Sequence, residues 1–236
     1  MREAMPSQPV LMPSKPLTLA ALLADRVAFL TGYQNAGYAA AYRALVDRMQ
    51  AAESKLRHSD VLTKAVASNL FKLMAYKDEY EVARLYTDGR FLKKLSEEFE
   101  GTARPRIYLA PPTLGKVDAA GRPVKQAFGA WMLPVFKGLA KLRFLRGTAF
   151  DFFGRTQERR QERQLVVDYR QFVEDLLSRF DSIDFDAALG LARIPEQIRG
   201  FGHVKQASFE AAKVRRQALL EKLGQKLSQQ TASIDC

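Results

Sequence analysis

Two stretches of the chain concentrate residues whose types and spacing suit chemistry. The first, Arg199-Gly200-Phe201-Gly202-His203-Val204-Lys205, sets two cations on either side of a histidine and two glycines around an aromatic. Glycine accepts positive φ and lets a backbone approach a ligand closely. A guanidinium and an ammonium bracketing an imidazole suit a phosphate or a carboxylate. Arg199, Gly200, Gly202, His203 and Lys205 are therefore the candidate residues for binding an anion or meeting a partner. The same segment also fits a tight loop in which Phe201 fills a core and His203 satisfies a backbone group. The second stretch runs from Tyr76 to Arg84 and contributes Lys77, Asp78, Glu79 and Arg84 as a weaker candidate site. Carboxylates beside a lysine support acid–base work. At helical spacing, with Lys77/Glu81 and Tyr80/Arg84 as i,i+4 pairs, they equally make ordinary surface ion pairs.

Other chemistries find less support. Gly200-Phe201-Gly202 carries the first two glycines of a dinucleotide fingerprint, but Lys205 stands where the third belongs, and no P-loop or GxSxG elbow occurs. The single cysteine, Cys236, and the two histidines, His58 and His203, fall short of the roughly four ligands of an iron–sulfur cluster or structural zinc. The net charge of +11 favours anionic partners. Arg155, Arg159, Arg160 and Arg163 form one basic cluster, and Lys213, Arg215 and Arg216 another. Neither interleaves the aromatic platforms that single-stranded nucleic acid uses, which speaks against a nucleic-acid partner and for solvated helix faces or an acidic protein. No apolar run approaches the ~20 residues of a membrane span, and residues 1–16 carry no secretory pattern. The chain reads as soluble and cytoplasmic, with no membrane contact.

The elements that would position these residues are mostly helical. Residues 1–16 hold four prolines and read as an extended linker. Thr18 suits the N-cap of a helix that continues, with a bend or break near Gly32 and Gly37, to about Leu56. Ser59 or Asp60 caps a second helix, and the helical register extends from Tyr76 to Tyr86. Arg90–Phe99 reads as a short helix. Arg106–Ala110 reads as a strand, and 114–117 with 122–126 as a hairpin. Helices are then expected over Ala130–Phe144, Thr156–Phe180, Asp184–Ala192 and from about Gln206 to Leu227, followed by a polar tail at 229–236. The fold class is mainly α (α+β): one helical domain over 17–228 with a small antiparallel hairpin at about residues 104–127.

Four segments add a resemblance: NLFKLMAYKDEYEVARLYTDGRF (69–91), APPTLG (110–115), FGAWMLP (128–134) and PEQIRGFGHVK (195–205). In this order and spacing the chain resembles the C-terminal domain of the indolepyruvate ferredoxin oxidoreductase family, among the 2-oxoacid:ferredoxin oxidoreductases. Thr31–Ala36, Arg146–Thr148 and Phe153–Thr156 also look like segments of that family. The resemblance implies a non-catalytic module, detached from the upstream domains that hold thiamine diphosphate, magnesium and iron–sulfur clusters. Residues 1–16 would be the linker to those domains. Thr87-Asp88-Gly89 is the nearest sequence to the Gly-Asp-Gly of a thiamine site, and no cofactor is expected in this chain. The implied partners are the catalytic domains or subunit, ferredoxin or a second copy. A stand-alone anion- or small-molecule-binding domain and a basic nucleic-acid binder remain the alternatives.

Overall fold

A computed structural model describes residues 18–91, 93, 97, 106–109, 124, 126–200 and 202–234. The last residue of the strand expected at 106–110, the strand expected at 114–117, most of its expected partner at 122–126, the segment 1–16 and most of the helix expected at 90–99 lie outside the described residues. The fold is mainly α, with a two-stranded antiparallel sheet. The chain divides into two compact units, Lys77–Arg155 and a second made of Leu17–Tyr76 with Thr156–Cys236. Among the described residues, no helix is long and apolar enough to cross a membrane.

The larger unit begins with α1 (Leu19–Tyr33), where the Thr18 hydroxyl accepts from the Ala21 N–H at 3.2 Å. The helix breaks at Gln34-Asn35, between the two glycines. Asn35 restarts it by accepting from the Tyr38 N–H at 2.8 Å, and α2 runs Ala36–Arg57. His58 closes α2 in the left-handed conformation at φ 49°, a role glycine usually fills. The next helix, α3 (Val61–Met74), takes part of its cap from the expected Ser59, whose hydroxyl accepts from the Val61 N–H at 3.2 Å, and part from a distant residue. Asp60 occupies the N-cap position without a side-chain cap bond. The fully buried Glu53, on α2, instead accepts from the Leu62 and Thr63 N–H groups at 3.1 and 2.7 Å and from the Thr63 hydroxyl at 2.7 Å. A carboxylate there satisfies orphan donors and complements the positive end of the helix dipole.

Tyrosines tie these helices together. Tyr33 and Tyr38 donate to the Tyr76 and Met74 carbonyls at 2.9 and 3.0 Å, and so complete the C-terminal end of α3. Tyr42 donates to the Ala67 carbonyl at 3.1 Å. Leu23, Leu30, Met49, Leu62, Val66 and Leu70 are buried along α1, α2 and α3. The chain returns to this unit with α6 (Gln157–Ser178), capped by Thr156, whose buried Tyr169, Val173 and Leu176 face α2 and α3. Then follow α7 (Phe185–Ala192), capped by Asp184, a 3₁₀ turn at Ile194–Gln197 and α8 (Gly202–Ile234). The last helix starts four residues earlier than its periodicity suggests and continues through the expected polar tail to Ile234.

The smaller unit holds α4 (Glu79–Thr87), β1 (Ile107–Leu109), β2 (Gln126–Phe128) and α5 (Met132–Lys141), with a 3₁₀ turn at Leu142–Leu145. Ile107 pairs with Phe128 and Leu109 with Gln126. The second strand thus lies at the end of the expected 122–126 segment and takes in the Phe128 that the FGAWMLP signature shares. Two helical expectations shift. Tyr76, Lys77 and Asp78 are not helical, because Asp78 is the N-cap of α4; α5 begins at Met132, after a turn at Ala130-Trp131. Ala83, Tyr86, Ile107 and Phe136 form the core of this unit, with the Tyr86 and Phe136 rings 5.3 Å apart.

Candidate functional site

The stronger sequence candidate lies at the junction before α8. Gly200 has φ +93°, and a Cβ there would stand 2.7 Å from the Val204 Cγ1, so only glycine fits without displacement. Arg199 is turned back on the chain. Its Nε donates to the Glu196 carbonyl at 2.8 Å, and its backbone N–H donates to the Ser208 hydroxyl at 3.0 Å. Ser208 in turn donates to the Arg199 and Lys205 carbonyls. Gly202 and Lys205 belong to the first turns of α8, not to a loop. Phe201 and the side chain of His203 lie outside the described residues. Lys205 is held by the buried carboxylate of Glu162 on α6, which also takes Arg159 at 2.6 Å; Glu158 stands 3.8 Å from the lysine.

Two residues on one face of α3 lock this junction. The Lys72 ammonium donates to the Pro195 and Ile198 carbonyls at 2.6 and 3.0 Å, and the Asn69 amide donates to Glu196 Oε1 at 3.2 Å. The 69–91 and 195–205 signatures are therefore physically joined, NLFK to PEQI. Burial first, then the charges of Arg199 and Lys205, push the Lys72 ammonium below the ordinary lysine range, against the opposing pull of Glu196. The corner is cationic, yet each of these cations already has a partner within the chain.

The weaker candidate becomes a buried network in the smaller unit. Asp78 Oδ1 caps α4 by accepting from the Glu81 N–H at 2.8 Å. The same carboxylate takes a forked pair of bonds from Arg146, at 2.5 and 2.9 Å, with both side chains at most 4% exposed. Such bidentate pairs are the strong form of the ion pair. Glu81 is gripped by Arg84 through two bonds of 2.7 and 2.8 Å, an i,i+3 contact in place of the expected Lys77/Glu81 and Tyr80/Arg84 pairings. Tyr80 donates to Asp151 at 3.3 Å, and Asp151 also takes the Gly147 and Gly154 N–H groups. Burial and then the Asp151 charge push the Tyr80 phenol up to about 12. Lys77 is lowered by burial, with Glu81 opposing. Glu79 is half-buried beside them.

Sequence reasoning missed Asn69, Lys72, Glu162, Glu196, Arg146 and Asp151. The partners of Asn69 and Lys72 lie more than a hundred residues away, so no local spacing points to them. Arg146-Gly147-Thr148 was visible only as a family-like segment. Among the described residues, no three His, Cys, Asp or Glu side chains converge as a metal site requires. What the arrangement does chemically is fix backbone: both networks spend their charges on helix ends and turns.

No curated protein and no solved structure matches the chain. A family model matches residues 19–218, which spans both networks, and the chain belongs to that family, DUF6537, a family of unknown function.

Proposed function

We propose that this chain is a non-catalytic interaction and structural module of a thiamine-diphosphate-dependent indolepyruvate (2-oxoacid) ferredoxin oxidoreductase, supporting assembly or ferredoxin docking. The resemblance of the 69–91, 110–115, 128–134 and 195–205 segments supplies the family. The observation that carries the non-catalytic reading is the state of the charged residues in those segments. Lys72, Asp78, Glu81, Arg84, Arg199 and Lys205 are each engaged by a partner in the chain. An acid, base or nucleophile needs a face turned toward substrate; these residues instead hold helix ends and turns.

On this reading the chain works in the cytoplasm beside the polypeptide that binds thiamine diphosphate, magnesium and the clusters, and itself holds none of them. Its net charge of +11 suits acidic partners, since complementary charge raises encounter rates. The test is calorimetric titration of the whole chain, at low and high salt, with the catalytic polypeptide and separately with ferredoxin. Saturable binding to at least one of them, weakened by salt, is expected. Absence of binding to both at low salt overturns the reading.

A further inference from the structure

The α5 helix is apolar on two faces, and the described residues pack against only one. Met132, Leu133, Phe136, Leu139 and Ala140 pack toward α4 and the sheet. At 100° per residue, Trp131, Pro134, Val135, Gly138 and Leu142 fall within another arc of about 100°. That arc is open: Trp131 is 64% exposed, Val135 52% and Leu142 41%. A surface helix normally turns polar residues outward, and clustered exposed apolar side chains mark an interaction site. Tryptophan in particular is enriched among the residues that carry binding energy.

The charge around this arc selects the partner. From Gln126 to Phe150 the sequence has no aspartate or glutamate, and the buried Arg146 is already neutralised by Asp78, which leaves Lys137, Lys141 and Arg143 as the charges on or beside α5. Lys137 and Lys141 are exposed along one edge of the arc. A second copy of a chain carrying +11 would be repelled there. An acidic surface and an anionic lipid layer both satisfy the charge, and Gly138 separates them. Glycine inside an exposed helix costs about 1 kcal/mol relative to alanine. A Cβ at Gly138 would meet nothing within 4 Å, so no described residue requires glycine there. Between Val135 and Leu142 it places no side chain on the apolar face, and we read that gap as a notch. A notch receives a projecting side chain, whereas a lipid surface gains from any added apolar group.

We infer that the Trp131–Leu142 face of α5 is the docking surface for an acidic protein that seats an apolar side chain in the notch at Gly138, with Lys137 and Lys141 meeting its carboxylates. The choice of ferredoxin as that partner rests on the proposed function. Trp131 is the chain's single tryptophan, so its emission reports on this face directly.

The experiment follows Trp131 fluorescence of the full chain at low salt. The titrants are a tryptophan-free two-cluster ferredoxin and, separately, vesicles of phosphatidylcholine with phosphatidylserine. Saturable quenching by ferredoxin is expected, with little response to the vesicles. Gly138→Leu, which favours the helix, should weaken ferredoxin binding at least about tenfold. Trp131→Ala, followed by calorimetry, should weaken it about thirtyfold. Ferredoxin binding that both variants leave unchanged overturns the face while the proposed function stands. Binding to the catalytic polypeptide but not to ferredoxin does the same. Vesicle binding that Gly138→Leu strengthens assigns the face to lipid and overturns the proposal.

Discussion

Replacing Asp78 by alanine tests the network that the smaller unit is built around. The side chain has two duties: it caps α4 through the Glu81 N–H, and it neutralises Arg146 through a forked pair of bonds. Losing an N-cap costs about 1 kcal/mol. Breaking a buried pair from one side strands the other charge, and with Arg146 only 3% exposed we take the lower end of that range, about 3 kcal/mol. Asp78→Ala should therefore destabilise the protein by about 4 kcal/mol. Serine at the same position restores the cap but not the ion pair, so Asp78→Ser should recover about 1 kcal/mol. Adding Arg146→Met to Asp78→Ser removes the stranded charge and should bring stability to within about 1–2 kcal/mol of wild type. Urea unfolding followed by far-ultraviolet circular dichroism measures all three variants against wild type. An Asp78→Ala cost below about 1 kcal/mol refutes the reasoning, as does a double variant no more stable than Asp78→Ser alone.

Three further outcomes follow from the same geometry. Glu53→Ala leaves the first N–H groups of α3 and the Thr63 hydroxyl buried without their acceptor; a loss of about 2–4 kcal/mol is expected by denaturant titration, and Asp60→Ala should cost far less. Gly200→Ala should cost about 2 kcal/mol or more, from left-handed strain plus the clash with Val204, whereas Gly147→Ala, also at positive φ but with open space around it, should cost about 1 kcal/mol in the same assay. Burial raises Tyr42, Tyr80, Tyr86 and Tyr169 above the ordinary phenol range, Tyr80 to about 12. A raised folded value means these phenols stabilise the fold fully below about pH 10, and for Tyr80 that support disappears as pH climbs through about 12. An alkaline absorbance titration followed alongside circular dichroism should show these buried phenols ionising only as helix is lost; complete tyrosine ionisation before any helix loss contradicts it.

The helices were legible where a cap and a stripe coincide, as at Thr18 and Thr156, because those signals lie within a turn of each other. The strand at Ile107–Leu109 was readable from its β-forming residues. The hairpin had been expected between 114–117 and 122–126, whereas Ile107–Leu109 pairs with Gln126–Phe128; strands this short carry too little alternation to fix a register. The α8 start was misplaced because Gly202 and His203 are poor helix formers and tertiary contacts hold the first turn: Lys205 to Glu162, Ser208 to Arg199. Asp78 and Lys205 were singled out without their partners Arg146 and Glu162, and Lys72 was not singled out at all. Lys72 reaches Pro195 and Ile198, and Asp78 reaches Arg146, across separations that only the fold closes. The two compact units are likewise unmarked, with no glycine- or proline-rich linker at Tyr76-Lys77 or at Arg155-Thr156.

The central claim is that this chain supports ferredoxin-linked oxidation of an aryl-2-oxoacid without performing it. The most direct measurement is the rate of indolepyruvate-dependent ferredoxin reduction by a catalytic polypeptide that lacks this region, with and without the purified chain added. The account predicts no turnover by the chain alone and a saturable rise in rate when it joins the catalytic polypeptide. Turnover by the chain alone, or an unchanged rate at saturating concentrations with no complex formed, would contradict it.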